Sequence, residues 1–63
     1  MKNLKLKAKR VECGISQQDM ANKLGMTITS YNFKENGKRE FTIKECIKLV
    51  QILQCKFEDI FIS

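Results

Sequence analysis

Sixty-three residues suffice for one small domain with one core, so sensing, catalysis and assembly have no separate module to occupy, and no small-molecule effector is expected. Twelve Lys and Arg stand against seven Asp and Glu, and the net charge of +5 favours a polyanionic partner, although a merely soluble basic surface has the same balance. Hydrophobic residues make up 43% of the chain with no long uncharged stretch, which speaks against a membrane span and against a disordered tail.

The chain has no proline, no low-complexity run and no internal repeat, and reads as a single domain over residues 1–63 made of short helices. Its opening, MKNLKLKAKR, lacks the apolar stretch of a signal peptide, so a cytoplasmic protein without a membrane partner is expected. The first helix is predicted from about Leu4 to Cys13, with Leu6, Arg10 and Cys13 sharing a face and Gly14 stopping it in a left-handed conformation. Ser16, with Asp19 in the first turn, starts a second helix from about Gln17 to Leu24, whose inward stripe is Met20, Ala21 and Leu24.

Gly25 ends that helix, and the Thr27 hydroxyl is placed to cap a third from about Ile28 to Glu35, which Asn36 and Gly37 finish. Two helices separated by only Gly25, Met26 and Thr27 form a helix-turn-helix over about residues 17–36, a shape that fits the DNA major groove. Ala21 and Gly25 read as small because the short turn brings two backbones together, where a larger side chain would overpack the crossing. Beyond the polar KRE segment, Thr42 and Glu45 make a capping box for a fourth helix, along which Ile43, Cys46, Ile47, Val50 and Leu53 repeat at helical spacing. A last helical turn, FEDIF, begins near Phe57.

The cysteines, at positions 13, 46 and 55, are odd in number, lack paired short spacing and have no histidine to complete a ligand set, so no structural metal and no cofactor is expected. Cys13 and Cys46 read as core-facing, where a thiol behaves as a small hydrophobe; Cys55 lies near a surface turn without any pattern that supports a redox role. An enzyme is not expected, because the chain offers no histidine, no nucleophile and base pair and no phosphate-binding loop.

The stretches KAKRVECGISQ, QQDMANKLG with its QxxxAxxxG pattern, ENGKR and the closing LxxxLQCKFEDIF together resemble the Cro/CI-type (Xre) helix-turn-helix domain of phage repressors and bacterial regulators. The resemblance spans nearly the whole chain and is nearest to the DNA-binding heads of lambdoid repressors. It implies an all-α bundle of five short helices that binds operator half-sites as a dimer. Tyr31 stands where that family places a buried aliphatic residue, so it should be core with a hydroxyl in need of a partner. Arg10 and Glu35 resemble the family's ion pair between the first helix and the end of the third, the alternative being that Arg10 belongs to a solvated basic face.

Gln17 and Asn36 match family positions that contact phosphates; equally, Gln17 serves as a first-turn polar residue and Asn36 as a helix terminator. Thr27, Ile28, Thr29, Asn32 and Phe33 are the candidates to read bases in the major groove. Asn32 has the groups for a bidentate bond to adenine, and the apolar Ile28 and Phe33 suit thymine methyls, which points to an A- and T-enriched half-site; the competing role for Phe33 is packing against a neighbouring helix. Lys34 departs from an aliphatic family position and is expected to bury its stem and extend its ammonium to a phosphate. Lys38 and Arg39 complete the phosphate contacts, with Lys7 and Lys9 behind them.

These expectations converge on a sequence-specific transcriptional regulator, a repressor that binds double-stranded DNA as a homodimer on a palindromic operator. Phe41, Ile60 and Ile62 are the candidates for the dimer contact, unless the terminal apolar cluster folds inward. The rival is an antitoxin or antirepressor-type module that masks a partner protein.

Overall fold

The computed structural model describes residues 4–61. Among the described residues five helices follow one another: α1 (Leu4–Glu12), α2 (Gln17–Leu24), α3 (Ile28–Glu35), α4 (Ile43–Leu53) and α5 (Phe57–Phe61). Three of them start at a side chain that satisfies a backbone amide the helix itself leaves open. Ser16 Oγ accepts from the Asp19 amide at 3.0 Å, and Thr27 Oγ1 accepts from the Ser30 amide at 3.2 Å. At α4 the exchange is reciprocal: the Glu45 amide donates to Thr42 Oγ1 at 3.2 Å and the Thr42 amide donates to Glu45 Oε1 at 2.9 Å.

All five helices close on one core, in which Leu6, Met20, Ala21, Leu24, Tyr31, Leu49, Leu53 and Ile60 are buried. The α2–α3 pair forms the closest-packed unit, α1 lies on α5 and α3, and α4 touches α2 and α5. Among the described residues there is no strand, and no helix is long and apolar enough to cross a membrane.

Four expectations require correction here. Cys13 is exposed, because α1 ends at Glu12 and the chain turns away; Ile15, whose amide donates to the Arg10 carbonyl at 3.1 Å, packs on the core in that region. The apolar repeat on α4 is split: Leu53 is buried and Cys46 and Val50 are half-buried, but Ile43 and Ile47 face solvent, while Leu49 supplies the fully buried position. Ile60 is only 1% exposed and belongs to the core, since α5 turns it inward against α1, so it is not a dimer contact; Ile62 lies outside the described residues. Gly25 is not small for want of space. A methyl group there would meet nothing within 4 Å, and the glycine is required by its left-handed φ of 71°, which lets the Met26 amide reach back to the Ala21 carbonyl at 3.0 Å. The crowding argument holds only for Ala21, which is fully buried.

Candidate nucleic-acid interface

The angle of the helix-turn-helix is held by a polar cluster inside the domain. Arg10 and Glu35 are 6% and 3% exposed, and the structure brings them together: Arg10 Nε donates to Glu35 Oε2 at 2.9 Å and Nη2 donates to Oε1 at 3.3 Å. The same guanidinium donates through Nη1 to the Ile15 carbonyl at 2.7 Å, which ties the turn between α1 and α2 to the end of α3. Tyr31, fully buried, finds its partner one helical turn away, its hydroxyl donating to Glu35 Oε2 at 2.5 Å. Among the described residues no buried side-chain nitrogen or oxygen lacks a hydrogen bond, so this charged cluster carries no orphaned group that would destabilise it.

Burial by itself would push the Glu35 carboxyl up, but hydrogen bonds from Arg10, Tyr31 and Gln17 outweigh it and hold the group below the usual carboxylate range. The Arg10 guanidinium is raised by its hydrogen bond to Glu35 against the opposing effect of burial. Glu35 therefore stays charged at neutral pH and accepts from three side chains on three helices.

Gln17 is one of those three. Its Nε2 donates to Glu35 Oε1 at 3.2 Å, and its Oε1 accepts from Asn32 Nδ2 at 3.4 Å. Half-buried between α2 and α3, it has a task inside the domain that the sequence does not display. Asn36 acts as the terminator of α3, its Nδ2 donating to the Asn32 carbonyl at 2.9 Å.

At the start of α3, Thr27, Ile28 and Thr29 are exposed side by side, with Ile28 at 40%. Phe33, further along the helix, is half-buried but outside the set of side chains that pack on the core. Lys38 Nζ and the Arg39 guanidinium carbon each lie 5.6 Å from its ring centroid, and its carbonyl accepts from the Lys38 amide at 2.8 Å. Such cation–π contacts are worth about 0.5 to 1 kcal/mol each at an exposed site. They gather two positive side chains directly after the exposed helix.

Lys34 is the correction in this set. Its ammonium donates to Glu45 Oε1 at 2.7 Å and to Oε2 at 2.8 Å, with the two side chains 14% and 19% exposed. Burial would raise the Glu45 carboxyl, yet Lys34 and the Thr42 amide hold it below the usual range. The ammonium faces α4 and not the surface, so Lys34 is a strut between α3 and α4 in place of a phosphate contact. Lys9 likewise has an acidic neighbour, Glu12, at 3.5 Å, whereas Lys7 is exposed.

A family model described as helix-turn-helix matches residues 6–60. The chain belongs to the Xre-type helix-turn-helix family. An archaeal protein of Methanocaldococcus jannaschii, described as an uncharacterized HTH-type transcriptional regulator, is 39% identical over 62 residues, which cover 98% of this chain and 92% of the relative. In this helix-turn-helix protein, an inward-facing polar cluster and an outward strip from Thr27 to Thr29 sit on the two sides of α3.

Proposed function

We propose that this protein is a sequence-specific DNA-binding transcriptional regulator, a repressor that occupies a palindromic operator as a homodimer. The observation that carries the reading is the exposed strip Thr27, Ile28 and Thr29 on a helix whose inner side is pinned by Arg10 and Glu35, flanked by Lys38 and Arg39 on the Phe33 ring. Base edges are read by a rigid element and phosphates are met by cations beside it. Thr27, Ile28, Thr29, Asn32 and Phe33 face bases in this reading, and Lys38, Arg39, Gln17 and Asn36 line the backbone side.

Dimerisation follows from affinity. One small module binds a half-site weakly, and two half-sites one helical turn apart multiply both affinity and specificity. Support comes from a groove of about 620 Å³ lined by Phe41, Ile43, Cys46, Ile47, Val50, Phe57 and Phe61, together with Arg39 and Glu40. Ile43, Ile47 and Phe57 are 79%, 51% and 48% exposed, an apolar patch that water does not favour. The same groove is what favours the second reading, a module that masks a different protein.

Selection from randomised duplexes, followed by footprinting, tests the reading. Wild type should enrich a short palindrome; Asn32→Ala should relax one position, and Lys38→Ala should weaken all sequences alike. Enrichment of no sequence at moderate salt refutes the regulator, and a monomer on DNA refutes the homodimer.

A further inference from the structure

The three thiols of this chain have different surroundings. Cys46 lines the groove beside α4, next to Glu45 and Glu40. Cys13 and Cys55 belong to another place, the corner where α1 ends and α5 begins, and α1 lies on α5. The Cys13 amide donates to the Lys9 carbonyl at 2.9 Å, which carries the helical turn past Glu12 and sets Cys13 and Lys9 on one side of α1. Cys55 stands between two caps. Gln54 takes a left-handed φ of 52° to end α4, and beyond Cys55 the Lys56 amide donates to Asp59 Oδ2 at 3.0 Å to start α5. From that fixed position Cys55 packs half-buried on the core, within electrostatic reach of Asp59, Lys9 and Cys13.

We propose that Cys13 and Cys55 form an oxidative modification site, which a low-molecular-weight disulfide converts to an intramolecular disulfide that fastens the α1–α2 turn to the α4–α5 corner. Exposure sets the order of the two steps. Cys13 is exposed, so its thiolate attacks one sulfur of the small disulfide, forms a mixed disulfide and releases the first small thiol. Cys55 is half-buried, and burial first and Asp59 second push its thiol up, against the opposing Lys9 ammonium. It is a poor first nucleophile, but the only sulfur it has to reach is that of Cys13. Its thiolate attacks there, the Cys13–Cys55 bond forms and the second small thiol leaves. Two electrons pass from the protein to the small disulfide, and the two thiol protons end on the two released thiols. The bond closes a loop that contains α2, α3 and α4, and so removes freedom from the unfolded chain. Neither cysteine is on α2 or α3, so oxidation tightens the domain and leaves the exposed strip from Thr27 to Thr29 in place.

The test exposes the folded protein to glutathione disulfide, with Cys13→Ser, Cys55→Ser and Cys46→Ser alongside. Wild type should lose two hydrogens from its intact mass, remain a single chain and give a tryptic product that joins residues 11–23 to residues 49–56. Cys46→Ser should do the same. Cys55→Ser should stop at the mixed disulfide on Cys13, and Cys13→Ser should keep Cys55 as a free thiol over the same time. Oxidised wild type should melt about 8 °C or more above its reduced form, a difference that a reductant abolishes.

If wild type stops at the mixed disulfide on Cys13, or if the bond joins Cys46 or a second chain, the proposal is overturned. It is overturned as well if the oxidised form melts no higher than the reduced one, because the two thiols then meet only in an opened chain. None of these outcomes depends on whether the protein binds DNA.

Discussion

Tyr31 and Glu35 are one turn apart on α3, and the buried hydroxyl of the first donates to the carboxylate of the second at 2.5 Å. Tyr31→Phe keeps the ring and its tilted contact with Phe41, 6.1 Å between centroids, but removes that donor from a buried charge. A hydrogen bond to a charged group contributes about 1.5 to 3 kcal/mol, so urea unfolding should show a loss in that range.

The pH profile of stability should be limited on both sides. Glu35 and Glu45 are depressed on folding, so the stability they contribute is complete above their unfolded values near about 4.3 and is lost as pH falls through the folded ones. Tyr31 is raised, by burial first and by Glu35 second, so the folded protein keeps a proton that the unfolded chain releases above about pH 10, and stability declines there. Tyr31→Phe should remove its part of the alkaline decline and make the acid decline smaller and complete at higher pH, since Glu35 loses a stabilising donor and its folded-state depression shrinks. Chemical denaturation at a series of pH values checks both limbs.

Arg10 and Glu35 separate the value of a pair from the cost of breaking it. Arg10→Met strands a buried carboxylate, for which about 3 to 5 kcal/mol is the usual penalty. A chain of 63 residues has roughly 3 to 9 kcal/mol of total stability, so the variant should lose about a third of it or more. Adding Glu35→Met should restore part of the loss, although Tyr31 and Gln17 then lose an acceptor. If the double variant is as unstable as the sum of the two single ones, the coupling assigned to the pair is absent.

How far the fold was legible in the sequence depended on where each signal resides. The starts and ends of α2 and α3 are written in single residues: Ser16 and Thr27 accept amides and Gly25 takes a left-handed φ, so their bounds were readable without any tertiary knowledge. On α4, apolar residues occur at Ile43, Cys46, Ile47, Leu49, Val50, Ile52 and Leu53, almost all round the helix. Periodicity cannot choose a buried face from such a set, and packing against α2 and α5 chose Leu49 and Leu53. The Lys34–Glu45 contact and the Gln17 bridge join residues eleven and fifteen or more positions apart, and depend on distances that only the fold creates. In the candidate interface, residue types were readable but their partners were not.

Lys34 and Lys38 should part company in salt titrations of DNA binding. Lys38 is exposed beside α3, and its removal should lower the slope of log affinity against log salt by about 0.9 if it meets one phosphate. Lys34 is already neutralised by Glu45, so Lys34→Leu should leave the slope unchanged. Its effect on stability should be on the order of 1 kcal/mol, because the aliphatic chain replaces the buried stem and Glu45 keeps its bond to the Thr42 amide. A lower slope for Lys34→Leu would return Lys34 to the phosphate contacts.

The two small residues of the helix crossing should respond to different substitutions. Gly25→Ala adds a methyl group in open space at a left-handed φ, which costs about 1 to 2 kcal/mol through the backbone alone, and Gly25→Asn should cost less. Ala21 is fully buried between helices, so Ala21→Leu overpacks the core at a cost of about 1 to 3 kcal/mol or more and should change the α2–α3 angle as well. Thermal melting gives the costs. Amide chemical shifts along α3 should move for Ala21→Leu and stay near wild type for Gly25→Asn.

The apolar groove beside α4 offers the sharpest separation between the two functional readings. Ile47 is half-exposed at 51% and lines the groove without entering the core cluster, so Ile47→Lys should leave the melting temperature of the monomer close to wild type. A charge placed at the centre of a homodimer interface is desolvated without a partner, and self-association should weaken by about tenfold or more, read by sedimentation over a concentration series. Because two half-sites bind as one unit only when the protein pairs, the same variant should lose its preference for a palindrome over a single half-site while keeping the base preferences of α3. Should wild type sediment as a monomer and bind a palindrome no better than a half-site, this groove does not join two copies, and the module that masks another protein becomes the better account of it.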